Sequence, residues 1–269
     1  MTSNNCLNCE KELVDQYCSG CGQKADTHRI TFKNFIFHDV LHGTFHLEKG
    51  ILFTIKEALL RPGKASLDYI YGKRKRYYNV FYLILLTFAF LLFLRHFYAE
   101  LQLALGYEIP HYADNESEAN KALDNIYSQK SKLLLFLAIP FGALNSYLLF
   151  RRKKLNLSEH CIIAGMLLLG SLLFSILGHL IFYFSLIIEF SDGFANTVSQ
   201  SIIFLIFFYI CYGFYNAFSA AYSKWGIAYR IVLFFVMLAF EMALLLLLLI
   251  GIVSNWTFQG TYSINPMAP

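Results

Sequence analysis

Apolar residues occur in long blocks after residue 79, whereas polar and apolar residues are mixed before it. A helix needs about 20 residues to cross a hydrocarbon core of about 30 Å. Five blocks are close to this length or longer, and each contains few charged residues. The pattern therefore predicts five transmembrane helices, which are Val80–Tyr98, Leu133–Phe150, Cys161–Ile188, Ile202–Tyr222 and Ile231–Ser254.

The composition agrees with this interpretation. Of the 269 residues, 57% are hydrophobic and only 15% are charged, whereas a soluble domain has about 25% charged residues. The same balance argues against a disordered chain, which would be polar and charged. We expect an all-α polytopic membrane protein, with a transmembrane domain over residues 80–254 and a tail over residues 255–269.

The positive charges predict the orientation of the chain. Eighteen of the 22 Lys and Arg residues lie before the first predicted span, or in the links between the second and third and between the fourth and fifth spans. Loops rich in Lys and Arg stay in the cytosol. We therefore expect a cytosolic N-terminus and, after five spans, an extracytoplasmic C-terminus.

Four cysteines near the N-terminus form two Cys-x-x-Cys pairs with eight residues between them: Cys6, Cys9, Cys18 and Cys21. This spacing is typical of a four-cysteine zinc site and makes a poor disulfide framework. Four thiolates close the coordination sphere, so we expect one structural Zn²⁺ in a ribbon over residues 1–26, with iron as the main competitor. The ribbon carries more acidic than basic residues, which argues against nucleic acid as its partner. A protein partner or a purely structural role fits better.

Residues 27–79 form an amphipathic region between the ribbon and the first span. Apolar residues recur there at near-helical spacing, with lysines between them, until Arg61-Pro62-Gly63 ends the pattern. Two interpretations stay open. The helices lie in the cytosolic interface of the bilayer with their aromatic faces among the acyl chains, or they pack on the cytosolic ends of the bundle.

Four cations flanked by tyrosines precede the first span: Lys73, Arg74, Lys75 and Arg76. Basic residues at this position attract anionic lipid headgroups, at about 1 kcal/mol for each residue near the surface. The sequence thus predicts a headgroup site. The alternative is the ordinary positive flank that any first span of this orientation carries.

Three passages together resemble a known family: CLNC with YCSGCGQ, then HGTFHLEKGILFTIKEALLRPG, then YIYGKRKRYYNVFYLILL. They are similar to the bacterial membrane-protein family catalogued as domain of unknown function 3667. The resemblance covers roughly residues 1–95, and Asn79 departs from it where a proline is expected. It implies a zinc ribbon joined to a multi-span domain of the bacterial inner membrane, and it implies no established activity.

A second possible metal site consists of His38, His42 and His46, which would line one face of a continuous helix. The remaining histidines are scattered, unlike the clustered boxes of membrane di-iron oxygenases. Interfacial histidines that pair with headgroups or helix ends are the alternative interpretation.

Polar residues inside the predicted spans form the last candidate group. Glu241 lies near the middle of the fifth span, where an ionised carboxylate is costly and usually faces the bundle interior or a water-filled cavity. Its possible partners are His179, Asn145 and Asn216. The alternative to a functional site is a hydrogen-bonded Glu that fixes helix packing.

Three functions follow from these features. The first is a non-enzymatic membrane scaffold or accessory subunit whose cytosolic zinc ribbon docks a protein partner. The second is a transporter or lipid-handling protein that uses Glu241 and His179 together with the basic headgroup cluster. The third is a metal-dependent membrane enzyme at the His38, His42 and His46 cluster. Because no catalytic constellation is visible, we predict no catalytic residue and favour the first.

Overall fold

The structure is a computed structural model that describes residues 5–25, 50–106, 137–188, 190–254 and 256. Seven α-helices lie within these ranges: α1 (Gly50–Leu60), α2 (Pro62–Ile70), α3 (Val80–Ala104), α4 (Leu137–Leu149), α5 (Leu157–Tyr183), α6 (Asp192–Phe218) and α7 (Lys224–Val253). The predicted helical class is confirmed for this part of the chain.

Four helices are long and apolar enough to cross a membrane: α3, α5, α6 and α7. The second predicted span, Leu133–Phe150, corresponds in the described residues to α4. The described part of that helix is about 20 Å long at 1.5 Å per residue, and residues 133–136 of the predicted span lie outside the described residues. The count of five spans is therefore not confirmed, and four of the described helices are long and apolar enough to be spans.

Polar caps set the beginnings of the long helices. The side chain of Asn79 accepts hydrogen bonds from the backbone amides of Phe81 and Tyr82 at the start of α3. Asn79 therefore caps this helix at the position where the family resemblance led us to expect a proline. Asn156 and Glu159 form a reciprocal capping box at the start of α5. A serine side chain caps each of α6 and α7 by accepting one backbone amide of the first turn. The helices α5, α6 and α7 begin before the predicted spans, because their first residues include polar ones that interrupt the apolar block.

The helix α5 lies at the centre of the bundle and packs against α1, α2, α3 and α6. Small residues bring its neighbours close. Gly165 lies against the side chains of Phe81 and Ile84 on α3, and Gly170 lies against Tyr209 on α6. Such contacts are typical of membrane helix interfaces, where small residues let helices approach closely.

Contacts along the bundle establish the direction of each helix. Near its start, α5 meets the start of α3 through Gly165, and near its end Tyr183 donates a hydrogen bond to the carbonyl of Leu94. The two helices are therefore parallel. By contrast, α4 is antiparallel to α5, since Gly142 faces Ala164 and Ser146 bonds His160. We call the end where α3, α5 and α7 begin the ribbon end.

The helices α1 and α2 form a hairpin that packs on α5 and α6 at the ribbon end. Thr54, Glu57 and Ala58 of α1 are buried in this contact, and α2 is buried along most of its length. Of the two interpretations of the amphipathic region, packing on the end of the bundle therefore describes the buried face of this hairpin. The rest of the amphipathic region, residues 27–49, lies outside the described residues.

Candidate metal centre

The four ribbon cysteines converge on one point. Their sulfur atoms all lie within 4.8 Å of one another. Two of the sulfur–sulfur distances, from Cys6 to Cys21 and from Cys9 to Cys18, are 3.5 Å. A tetrahedral ion with metal–sulfur distances of about 2.3 Å would hold its sulfurs about 3.8 Å apart. The geometry therefore fits one ion bound by four thiolates.

The two Cys-x-x-Cys turns are structural copies of each other, twelve residues apart. In the first, the amide of Cys6 donates to the carbonyl of Lys11, and the amide of Glu10 donates to the carbonyl of Cys6. In the second, Cys18 and Gly22 make the matching bonds, each of the four bonds being 2.8 Å long. Glu10 and Gly22 both adopt positive φ, 63° and 69°. This repeat is what aims both thiol pairs at a common centre.

The thiols differ in how readily they ionise. Backbone amides of Cys21 and Gly20 donate to Cys18 and lower its pKa to about 6. Burial opposes ionisation of Cys21, but hydrogen bonds from the Asn8 side chain and the Gln23 backbone lower the pKa of its thiol.

The pKa of Cys9 moves the other way. The Lys11 amide lowers it, but the neighbouring Cys18 thiol and burial raise it to about 12. Because closely spaced thiolates repel each other, a bound cation is needed to hold all four in the ionised state.

The ribbon sits on the turn that precedes α3, which comprises residues 72–76. Arg76 donates two hydrogen bonds to Asn8, from Nε to the side-chain oxygen at 3.1 Å and from Nη2 to the backbone oxygen at 2.8 Å. Gln23 donates from Nε2 to the carbonyl of Gly72 at 2.7 Å, and its oxygen accepts from the Lys75 amide at 3.4 Å. Both cysteine turns thus contribute a residue to the contact.

Gly72 makes this contact possible. Its φ is +104°, and a Cβ at this position would lie 2.6 Å from Cδ1 of Leu7. A larger residue would strain the backbone and push the ribbon away. Leu7 follows the first ribbon cysteine, so the apolar contact lies beside the metal centre.

Most of the predicted headgroup cations have protein partners. Lys73 forms an ion pair with Asp68 at 3.1 Å. Arg74 donates to the carbonyl of Tyr69 and lies 5.8 Å from the centre of its ring. Arg76 holds the ribbon. These contacts give the cluster a structural role at the start of α3, and lipid binding by it stays a prediction.

The predicted polar residues inside the spans form separate contacts. Asn145 donates to a carboxylate oxygen of Glu241 at 2.9 Å. Asn216 accepts from the backbone amide of Lys64 at 2.7 Å, and Nδ1 of His179 donates to the Ser175 carbonyl of its own helix at 2.9 Å. Among the candidates, the structure thus pairs Glu241 with Asn145 and engages the other two elsewhere.

A buried pair at the ribbon end was not predicted. Ser146 and His160 lie 2.7 Å apart, from Oγ to Nδ1, and both are fully buried. The Ser146 hydroxyl donates to the carbonyl of Ala143, so Nδ1 of His160 donates to Ser146. The sequence signal was weak, because nothing in the spacing of one serine and one histidine on different helices indicates their contact.

A second unpredicted feature is a polar stripe on α6. Tyr209 donates to the carbonyl of Ala58 at 2.7 Å, and Tyr212 donates to that of Leu60 at 3.0 Å. Asn216 completes the stripe one turn further on. Spacing of i, i+3 and i+7 could have indicated one face of a helix, but it does not identify the hairpin as the partner.

The proposed histidine site, His38, His42 and His46, lies outside the described residues. Within the described ranges, the four cysteines are the one group of three or more metal-binding side chains that converges.

Comparison with known proteins adds a family match. No curated protein and no solved structure matches the chain. Residues 48–92, which comprise the hairpin, the turn under the ribbon and the first half of α3, match the model of a family described as protein of unknown function (DUF3667). The match confirms, over these residues, the resemblance of this chain to that family.

Proposed function

We propose that the protein is a non-enzymatic membrane scaffold or accessory subunit whose ribbon docks a protein partner. The observation that carries the proposal is the closed four-sulfur centre: a metal bound by all four cysteines has no open position for a substrate. The ribbon then serves as a rigid surface. Its exposed apolar residues, Val14 at 87% and Tyr17 at 58% exposure, are available to a partner while Asn8 and Gln23 hold the turn.

Zn²⁺ is the ion that suits this centre best. Four thiolates in a tetrahedral arrangement are typical of structural zinc and of iron–sulfur sites. A ribbon of this size cannot bury enough apolar surface to fold alone, so we expect metal binding and folding to be one event. Metal analysis should give about one zinc for each chain, and a coloured iron centre would contradict the choice of ion.

The direction of the helices supports five crossings. Because α3 and α5 run parallel, the chain between them must return to the ribbon end, and α4 ends there. We infer that α4 belongs to the second predicted span, Leu133–Phe150, and that the chain therefore crosses the membrane five times. The excess of Lys and Arg in the segments that precede α3, α5 and α7 supports a cytosolic ribbon and a C-terminus outside the bacterial inner membrane.

Affinity purification of the full chain tests the scaffold function. Proteins that copurify with the unaltered chain should be lost when residues 1–26 are deleted. They should also be lost in a double variant that carries both Val14→Asp and Tyr17→Ala. The metal content of this variant should equal that of the unaltered chain. Glu12→Gln is the control, because it changes an exposed ribbon residue without adding charge to an apolar position. Copurification that is the same in all variants would reject the proposal.

A transporter or lipid-handling function is the second candidate. It is favoured by one observation, the hydrogen bond that the amide nitrogen of Asn145 donates to Glu241 in the bundle, while the amide oxygen of Asn145 is buried without a hydrogen-bond partner. A polar substrate group could use such an oxygen. A metal-dependent enzyme at the histidine cluster remains the third possibility, and a second bound metal would favour it.

A further inference from the structure

The exposed residues of α1 form a single stripe. Leu52, Lys56 and Leu60 are its three exposed residues, spaced i, i+4 and i+8, and the two leucines are 79% and 61% exposed. This spacing places them on one face of the helix. The opposite face, with Thr54 and Ala58, is buried against the bundle. We call the exposed set the Leu-Lys-Leu stripe.

The bundle fixes the position of the stripe. Tyr209 and Tyr212 of α6 donate to the carbonyls of Ala58 and Leu60, which lie at the end of α1 and lack helical partners. At the start of α2, the amide of Lys64 donates to Asn216. The hairpin is therefore bonded to α6 at both sides of its bend, so the stripe has a defined location relative to that span.

The stripe continues the lipid-facing surface of a spanning helix. Phe204, Phe208 and Tyr212 on α6 are also spaced i, i+4 and i+8, with exposures of 58%, 64% and 45%. Their helix is long and apolar enough to cross the membrane, so large exposed aromatics on it face acyl chains. Tyr212 bonds Leu60 directly, which makes the two surfaces one.

The charges next to the stripe suit anionic headgroups. Lys56 within it and Lys64 on α2 are exposed, and neither side chain forms an ion pair in the described part of the chain. Lysine at a bilayer interface buries its stem in the apolar boundary and extends its ammonium to the phosphates. By contrast, Lys73, Arg74 and Arg76 of the turn are engaged by protein groups.

We propose that the Leu-Lys-Leu stripe lies in the bilayer interface at the ribbon end, with Leu52 and Leu60 in the acyl boundary and Lys56 and Lys64 on anionic lipid headgroups. In this proposal the hairpin contacts the lipid, whereas the turn of residues 72–76 binds the ribbon. This inference is independent of whether the ribbon docks a partner.

Tryptophan quenching tests the location of the stripe. The full chain, with Trp225→Phe and Trp256→Phe, is reconstituted in vesicles whose lipids carry bromine on the acyl chains. Fluorescence of Leu52→Trp and Leu60→Trp should be quenched by the brominated lipids and shielded from iodide in the buffer. Val14→Trp on the ribbon is the water-exposed control. Quenching of the two stripe variants by iodide alone would overturn the proposal.

Lysine substitution tests the headgroup. Binding of phosphatidylglycerol to the detergent-solubilised full chain is compared with binding of phosphatidylcholine. We expect Lys56→Gln and Lys64→Gln each to weaken phosphatidylglycerol binding by about fivefold, with phosphatidylcholine unaffected. Lys73→Gln on the turn, whose ammonium is paired with Asp68, is the matched control and should change it little. A larger loss in this control than in the hairpin variants would return the headgroup site to the turn, and equal competition by inorganic phosphate would show that no lipid is required.

Discussion

Gln23→Ala should release the ribbon from the turn without removing its metal. Gln23 is only 5% exposed, and its side chain joins the ribbon to the backbone of residues 72–76 through two hydrogen bonds. The substitution leaves all four cysteines in place. It removes the donor of the shorter hydrogen bond, which joins Gln23 to the carbonyl of Gly72 at 2.7 Å. It also removes the acceptor of the longer hydrogen bond, which the Lys75 amide donates at 3.4 Å.

The expected magnitude follows from those two bonds. A buried carbonyl that loses its donor costs about 1–3 kcal/mol, and the bond at 3.4 Å adds little because it is long. Since about 1.4 kcal/mol corresponds to a factor of ten, the docking equilibrium should fall between about fivefold and about 150-fold. Arg76 retains its two bonds to Asn8, so docking should be weakened rather than abolished.

Hydrogen exchange measured by mass spectrometry provides the assay. Peptides covering the turn and the amide of Lys75 should exchange faster in Gln23→Ala by the same factor, because local opening governs exchange. Gln16→Ala, at an exposed position of the ribbon, is the matched control and should leave exchange unchanged. Equal protection of the turn in Gln23→Ala and the unaltered chain, at equal metal content, would refute the assigned contact.

Three further outcomes are expected. Cys18→Ser should abolish metal binding and expose residues 5–25 to protease, because metal binding and folding of the ribbon are coupled; a protease-resistant ribbon without metal would contradict this. Gly63→Ala should destabilise the protein by about 3 kcal/mol or more, measured as a lower Tm in detergent, since the new Cβ would lie 2.8 Å from Cα of Ala217 and closer still to backbone atoms of α6. Gly193→Ala, which has nothing within 4 Å of its Cβ position, is its control, and similar Tm values for the two would be evidence against the close helix contact. Glu241→Gln keeps an oxygen that can accept from Asn145, so stability and partner binding should be unchanged; loss of a transport activity with the fold intact would favour the second candidate function.

The sequence predicts the spans well because hydropathy is a local property of a segment. It fails at their boundaries, where capping by Asn156 or Ser223 depends on single polar residues rather than on average hydropathy. The convergence of the four cysteines was predictable because the two cysteines of each turn are three residues apart in the chain.

The contacts between distant segments could not be predicted from local patterns. Asn8 and Arg76 are 68 positions apart, and Asn145 and Glu241 are 96 apart. Each of these residues also has an ordinary local explanation, as a flank residue or a buried polar group. Only the folded chain shows that Arg76 of the predicted headgroup cluster is occupied by the ribbon.

The twelve-residue repeat gives the ribbon an approximate twofold axis that passes between the four cysteine sulfurs. Rotation about that axis exchanges Cys6 with Cys18 and Cys9 with Cys21, and the pairs of touching sulfurs are exchanged accordingly. The same rotation carries the surface that contacts the turn onto the opposite flank, where the equivalent positions are Lys11, Ser19 and Gly20, all of which are exposed. The two flanks differ in chemistry, because Asn8 and Gln23 on one side correspond to Gly20 and Lys11 on the other, so the chain's own turn binds only the side that supplies amide side chains.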